Sequence, residues 1–342
     1  MKILLVQIDG HKSQRGRDVR ENPNLALMKL SHWKKAHGHS VDFTKRVDYV
    51  PGYDIVYGSA IFKFSAPHQA TFRANFPDAV LGGTGFGLNN TVEELTGTYE
   101  HYDYSLYPSY VPSIGFSQRG CRLNCGFCVV PQKEGRPKFA NTINEIWRGE
   151  GHPKDIVLLD NDFFGQADWK ARIAEIRDGG FRVSFNQGLN VRLINEEACA
   201  ALATIPYYDD QFSTRRLYTA WDNLKDEGIF FRGVDMLEGA GIPPRHLMVY
   251  MLMGYDADET AEWNAADRDR IAQKKTRLYY RYAKMIERGI NVYPMVYDRA
   301  NKSLCHFQRY VINKRFWRKT DWEGYKYGLE AAALRDAAKE AP

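Results

Sequence analysis

Six short apolar runs, each separated from the next by room for a helix, constrain this chain more than any other feature. They are SIGFSQ (113–118), DIVLLD (155–160), FRVSFN (181–186), RRLYTAW (215–221), HLMVYMLM (246–253) and NVYPMVY (291–297). Short, near-continuous apolar runs mark strands buried on both faces. Between them, WKARIAEIRDGG (169–180) and TRLYYRYAKMIERG (276–289) place apolar residues at helical spacing and stop in glycine. Strand alternating with helix predicts an α/β fold with a parallel sheet, curled into a partial (βα)6 barrel of the TIM type over residues 113–300.

Parallel sheets of this kind present ligand sites at the C-terminal ends of their strands. The first run leads into RGCRLNCGFCVVPQKEG (119–135), and the second ends in Asp160, Asn161 and Asp162. The third ends in Asn186, Gln187 and Gly188, with Asn190 and Arg192 close behind; the fourth ends in Trp221, Asp222 and Asn223. The fifth reaches Gly254 and Tyr255, and the sixth Tyr297 and Asp298. Taken singly, such residues are turn formers and helix caps. Together they predict a site on one rim.

Of five cysteines, Cys121, Cys125 and Cys128 crowd one loop. An odd number so arranged is a poor disulfide framework and a better metal site in a reducing compartment, so the expectation is a cytoplasmic protein. No apolar run approaches membrane-spanning length, and Asp9 interrupts MKILLVQIDG too early for a signal peptide, so no membrane partner is expected. A net charge of +5 points only weakly to anionic partners. Three thiols on a loop flanked by Gly120, Asn124 and Gly126 suit a metal better than a core. Structural zinc takes four ligands in paired spacings, and no second pair follows; the nearest downstream histidine is His152. An iron-sulfur cubane held by three thiolates keeps one iron open. A non-catalytic metal-binding module, zinc or iron-sulfur, stands beside an enzyme at this point.

CRLNCGFC is C-x3-C-x2-C with the aromatic Phe127 before the last cysteine, and it resembles the cluster loop of the radical S-adenosylmethionine (SAM) superfamily. The resemblance implies a [4Fe-4S] cluster on Cys121, Cys125 and Cys128 whose open iron chelates SAM. It also implies an electron donor such as flavodoxin or ferredoxin, and one-electron cleavage of SAM to methionine and a 5'-deoxyadenosyl radical that attacks a substrate the motif does not name. Carried over by position, Asn161 and Asp162 meet the SAM amino group, although LLDNDFFG replaces the family's usual Gly-Gly-Glu stretch. Asn186, Gln187 and Arg192 meet its carboxylate and ribose, and Gly254 packs against adenine. Glu259 reads as an ordinary acid in the first turn of a helix.

Residues 1–96 read as a separate, Rossmann-like open α/β sheet. KILLVQI (2–8) is a strand, and residues 21–38 a helix capped by Asn22, with Pro23 first and Gly38 as stop. SVDF, DIVYGSA and AVLGG continue the alternation, which places a ligand site near Asp9 to His11 and Gly82 to Gly85. The tyrosine-rich segment 97–112 reads as a linker. An α/β domain before such a barrel resembles the cobalamin-binding subgroup, with a cobalamin-dependent methyltransferase as the alternative within the class. That resemblance makes Asp9, His11, Gly82 and Gly83 the candidate cobalamin residues. The motif D-x-H-x-x-G is only half present, since Gln14 stands where glycine is required, so the expectation is weak binding or none. Residues 1–120 contain no cysteine, unlike the N-terminal domain of methylthiotransferases, and Cys199 and Cys305 are too few for an auxiliary cluster.

Residues 301–342 read as a helical extension. FQRYVINKRFWRKTDWEGYKY (307–327) interleaves aromatics with Arg309, Lys314, Arg315, Arg318 and Lys319. Such a pattern binds nucleic acid by phosphate pairing and stacking, or packs Phe307, Tyr310, Val311 and Phe316 as an amphipathic helix. Packing is the favoured expectation, with nucleic acid kept as a possible substrate.

Overall fold

The computed structural model describes residues 1–9, 23–98, 100–313 and 321–325. The chain divides into two compact units, Met1–Pro112 and Ser113–Pro342. Both are α/β with parallel sheets. Among the described residues, no helix is long and apolar enough to cross a membrane.

In the first unit, β1 (Lys2–Gln7), α1 (Leu25–Ala36), β2 (Ser40–Thr44), β3 (Ile55–Ser59), α2 (Ala66–Asn75), β4 (Val80–Gly82) and α3 (Val92–Thr96) follow in order. The strands lie β2-β1-β3-β4, all parallel, so the chain reverses its winding direction between β1 and β3. Alternation along β1 feeds two cores. Ile3 and Leu5 pack with Leu27, Met28, Leu30 and Tyr57, while Leu4, Val6 and Ile8 pack with Val47, Phe72 and Phe76. The cap of α1 is Asn24, not Asn22: its side chain accepts from the Leu27 N–H at 3.2 Å, which places Pro23 outside the helix. Asn22 itself lies outside the described residues.

The segment 97–112, read as a linker, is part of this unit. Leu106 and Tyr107 are buried in the Ile3–Leu5 core. The Tyr107 hydroxyl accepts from the Asn24 N–H at 3.0 Å and donates to Gln7 Oε1 at 2.7 Å. Nearly buried Lys29 is neutralised by Glu93 at 3.2 Å and Glu100 at 2.5 Å, which ties α1 to α3 and to this segment. At Asp103, burial raises the carboxyl pKa, but hydrogen bonds from Lys35, Ser105 and Ser31 outweigh it and lower it to about 2.

The second unit begins with β5 (Ser113–Gly115), β6 (Gln118–Arg119), α4 (Val130–Lys133), β7 (Lys138–Phe139) and α5 (Ile143–Ile146). Then come β8 (Asp155–Leu158), α6 (Trp169–Asp178), β9 (Arg182–Phe185), α7 (Glu196–Ala203), β10 (Leu217–Ala220) and α8 (Glu227–Gly239). It closes with β11 (Leu247–Met253), α9 (Ala257–Ala265), α10 (Arg270–Gln273), α11 (Arg277–Glu287), β12 (Asn291–Val296) and α12 (Lys302–Ile312). Two parallel three-stranded sheets, β5-β8-β9 and β10-β11-β12, follow chain order. They meet where the Leu189 N–H, just past β9, donates to the Tyr218 carbonyl of β10 at 2.7 Å.

One core runs under both sheets, from Ile156 and Leu158 through Val183 and Phe185 to Leu217, Val249 and Met251. α11 presses Leu278, Tyr282 and Met285 into it, about 1.5–3 kcal/mol for each side chain. α12 buries Leu304, Phe307, Tyr310 and Val311 there, with Trp322 and Tyr325 beside them, and leaves Arg309 exposed. The apolar side of this extension therefore packs. Lys314, Arg315, Phe316, Arg318 and Lys319 lie outside the described residues.

Candidate cysteine-loop site

The antiparallel pair of β6 and β7, with Gln118 opposite Phe139 and Arg119 opposite Lys138, clamps the base of the loop that carries the three cysteines. Gly120 makes the clamp possible. It sits at φ +87°, and a Cβ there would lie 2.3 Å from the Arg136 carbonyl oxygen. Inside the loop, the Cys121 N–H donates to Gly135 at 3.1 Å and the Cys128 N–H to Cys125 at 2.9 Å. All three cysteines are free and half-buried. Burial pushes the Cys121 and Cys128 thiols up, and charge on the neighbouring sulfurs pushes the same way. The three sulfurs lie within electrostatic reach of one another, and a positive centre nearby would oppose the upward push on Cys121 and Cys128.

Buried charges hold the loop in place. Arg122 grips the Asp162 carboxylate through Nε at 2.7 Å and Nη2 at 2.9 Å, and its own N–H adds a third bond at 3.1 Å. Glu134 accepts from Arg119 at 3.0 Å, from the Gly120 N–H at 3.0 Å and from Asn161 at 3.2 Å. Burial raises its pKa, but Arg119, the Gly120 N–H and the charge of Lys133 bring it below the usual range. Gln118 donates to the Asp162 carbonyl at 2.6 Å. Beneath lies Asp160, which accepts from the Ser117 N–H at 2.7 Å and from its hydroxyl. Complete burial overrides those bonds and lifts the Asp160 carboxyl to about 7. Asn161 and Asp162, expected to meet a ligand amino group, are thus engaged by the loop itself; Asp162 has its carboxylate fully occupied by Arg122.

Other expected residues do converge. Arg192, just past β9, pairs with Asp226 at 2.9 Å and contacts the Cys125 thiol, and these partners hold its charge against burial. Asn186 ends β9, its N–H on the Leu158 carbonyl at 3.0 Å and its carbonyl taking the Tyr250 hydroxyl at 3.3 Å. Gln187 beside it is exposed. Gly254 ends β11 at φ +85°, where a Cβ would lie 2.9 Å from Leu304 Cδ1. The next residue, Tyr255, stands edge-on to Phe127 with ring centroids 5.3 Å apart, and its hydroxyl fills the space a side chain at Gly126 would need.

Asp222, at the end of β10, is one of the strand-end residues to which the pattern assigns no ligand role, and the structure brings it beside the cysteine loop. It accepts from the Leu252 N–H at 3.0 Å, lies within electrostatic reach of Cys128 and Arg192, and is pushed up by burial. It borders a cavity of about 370 Å³ shared with Asn223, Lys225, Asp256, Glu259 and Arg277. Glu259 is in the first turn of α9, as expected, but its carboxylate is buried against Arg281 at 2.9 and 2.6 Å. Arg281 also donates to the Trp221 and Leu252 carbonyls, both at 2.8 Å, and so locks the ends of β10 and β11 together.

In the first unit, Asp9 is consumed by the turn after β3. It accepts from the Ile61 and Phe62 N–H groups and from Ser65 Oγ at 2.5, 3.3 and 2.6 Å. His11 lies outside the described residues. Gly83, at φ +92°, lets the chain close on Ala60, whose carbonyl oxygen lies 2.3 Å from where a Cβ would be. With Gly82 it borders a largely apolar cavity of about 430 Å³, lined also by Leu27, Leu30, Tyr57 and Val92. Asp9, with its oxygens spent on backbone and Ser65, does not fit the role of a partner for a cobalt-binding histidine.

Among the described residues, no three or more His, Cys, Asp or Glu side chains are gathered as a group that could hold a metal ion. No protein-family model and no curated protein sequence matches this chain.

Proposed function

We propose that the chain is a radical SAM enzyme whose second unit is an open parallel βα barrel and whose first unit is a Rossmann-like ligand-holding domain. The observation that carries this reading is the trio Cys121, Cys125 and Cys128 at the C-terminal edge of parallel strands, with Arg192 against Cys125. The donor set suits an iron-sulfur cluster: three soft thiols, all half-buried, on one short loop. When bound, such a cluster with SAM supplies one-electron cleavage of a sulfonium and, through it, a carbon radical able to take a hydrogen atom from a substrate.

The protein's own part is placement. The Arg122–Asp162 and Arg119–Glu134 pairs anchor the loop that carries the three sulfurs. Arg192 offers a guanidinium next to the thiols, suited to a carboxylate and to offsetting thiolate charge. Asn186 and Gln187 supply hydrogen-bonding groups at the same rim, and Asp222 an acceptor for hydroxyls. Phe127 and Tyr255 pack edge-on to each other beside Gly126. In the first unit, the 430 Å³ cavity supports a ligand-holding role, and no step is routed through cobalamin.

Anaerobic reconstitution with iron and sulfide tests the reading. About four irons per chain on three cysteines are expected. A zinc content near one per chain with no iron uptake would replace the enzyme by a structural metal module.

A further inference from the structure

The sheet β10-β11-β12 has two faces of opposite character. On one, Val249, Met251 and Val292 join the core with Leu278, Met285 and Phe307. On the other, β12 leaves Tyr293 and Met295 open, 41% and 46% exposed, and Tyr297 continues the row at 57%. The Tyr297 N–H donates to the Met253 carbonyl at 2.9 Å, so the ladder with β11 holds to that point and the three alternate side chains share one side. Along the strand each is about 6.5 Å from the next. Further rings extend the row. Tyr250, in register with Tyr293, stands 5.8 Å from it, and Tyr255, 43% exposed, stands 5.1 Å from Tyr297 and 5.3 Å from Phe127 on the cysteine loop. Contiguous open rings of this kind mark a surface made for a partner.

We propose that this row of rings is a track for single-stranded nucleic acid leading to the cysteine loop, which makes such a strand the substrate of the proposed reaction. The assignment as substrate rests on the functional reading above, in which that loop is the reacting end. Open rings at strand spacing suit successive bases, since any base can stack on a tyrosine. Charge at both ends of the row suits phosphates. Arg299 and Lys302 follow Tyr297, and Arg245 lies where β12 starts, its carbonyl accepting from Asn291 at 2.9 Å. All three cations are exposed, and among the described residues none has a carboxylate within ion-pair distance. The acid beside them, Asp298, already accepts from the Ala300 N–H at 2.9 Å. An added peptide strand fits less well. β12 pairs only with β11 among the described strands, but Pro294 at its middle has no N–H and its carbonyl accepts from Gln308 at 2.8 Å, so this edge offers no continuous ladder.

The test is fluorescence anisotropy of the purified full chain with a labelled single-stranded RNA of about 12 nucleotides and with the DNA of the same sequence. At about 50 mM salt the wild type should bind at least one of them, and Tyr293→Ala/Tyr297→Ala should weaken that binding roughly tenfold or more. Tyr293→Phe/Tyr297→Phe keeps the rings and should stay within about twofold of wild type. Arg299→Glu/Lys302→Glu should weaken binding and flatten its dependence on salt. Binding of neither strand, equal affinity of wild type and the double alanine variant, or equal affinity for single strand and duplex would overturn the proposal. A wild-type dimer that the double alanine variant makes monomeric would overturn it too, by giving the row to a second copy. The two readings fail separately. Reconstituted wild type that cleaves SAM with dithionite but binds neither strand keeps the enzyme and removes the track. A wild type that binds single strands through these tyrosines yet, once iron-loaded, leaves SAM intact keeps the track and removes the reading beneath it.

Discussion

Replacing Arg281 by methionine should be among the costliest single changes in the second unit. The guanidinium is fully buried and makes four bonds, two to Glu259 and one each to the Trp221 and Leu252 carbonyls. Methionine restores the volume and none of the donors, leaving a buried carboxylate unpaired. Removing one partner of a buried ion pair costs about 3–5 kcal/mol, and each orphaned carbonyl adds on the order of 1 kcal/mol unless water reaches it. A loss of about 5 kcal/mol or more is therefore expected. Urea unfolding followed by tryptophan fluorescence reads it well, because Trp33 is the only one of seven tryptophans in the first unit. The double variant Arg281→Met/Glu259→Leu, with no charge left to strand, should recover most of the loss. A single variant within about 1 kcal/mol of wild type would refute this account of the β10–β11 junction.

Other expectations follow from the same structure. Asp160, lifted to about 7 when folded from an ordinary carboxylate value when unfolded, binds more protons in the native state, so its contribution is present in acid and lost as pH rises toward 7. The swing is on the order of 4 kcal/mol, and Asp160→Asn should flatten the stability profile between pH 4 and 7; an unchanged slope would contradict the assignment. Asp103 has the opposite sign: its pKa is lowered to about 2, so its support is present above about pH 4 and lost as pH falls. Asp103→Asn should destabilise the first unit at neutral pH by about 1 kcal/mol after allowance for partial exposure, and by less at pH 2, as circular dichroism would show. Hydroxocobalamin mixed with the protein should not co-elute from a desalting column in stoichiometric amount, and a bound cobalamin spectrum would overturn the reading of Asp9.

The strands were legible because each run is apolar along most of its length, and the observed β8, β9, β10, β11 and β12 each fall inside an expected run; burial on both faces holds for β8, whereas β12 exposes Tyr293 and Met295. The cysteine loop was legible because its spacing is local. What stayed hidden depends on partners far away in sequence. Tyr107 looked like linker because its role is a hydroxyl between Asn24 and Gln7, 83 and 100 residues distant. Asp162 looked like a ligand residue because nothing in its neighbourhood announces Arg122, 40 residues earlier. Glu259 has the sequence position of a helix-start acid and the physical role of a buried counter-ion, which only the placement of α11 beside α9 reveals. The displaced cap of α1 shows the limit of local rules: Asn22 and Asn24 both qualify, and the bond to the Leu27 N–H decides between them.

Reductive cleavage of SAM tests the central claim most directly. Anaerobically reconstituted protein, reduced with dithionite and supplied with SAM, should release 5'-deoxyadenosine and methionine even without a substrate, and Cys125→Ala should release neither. Iron-loaded wild-type protein that leaves SAM intact, or a Cys125→Ala variant that cleaves it as fast as wild type, would contradict the account.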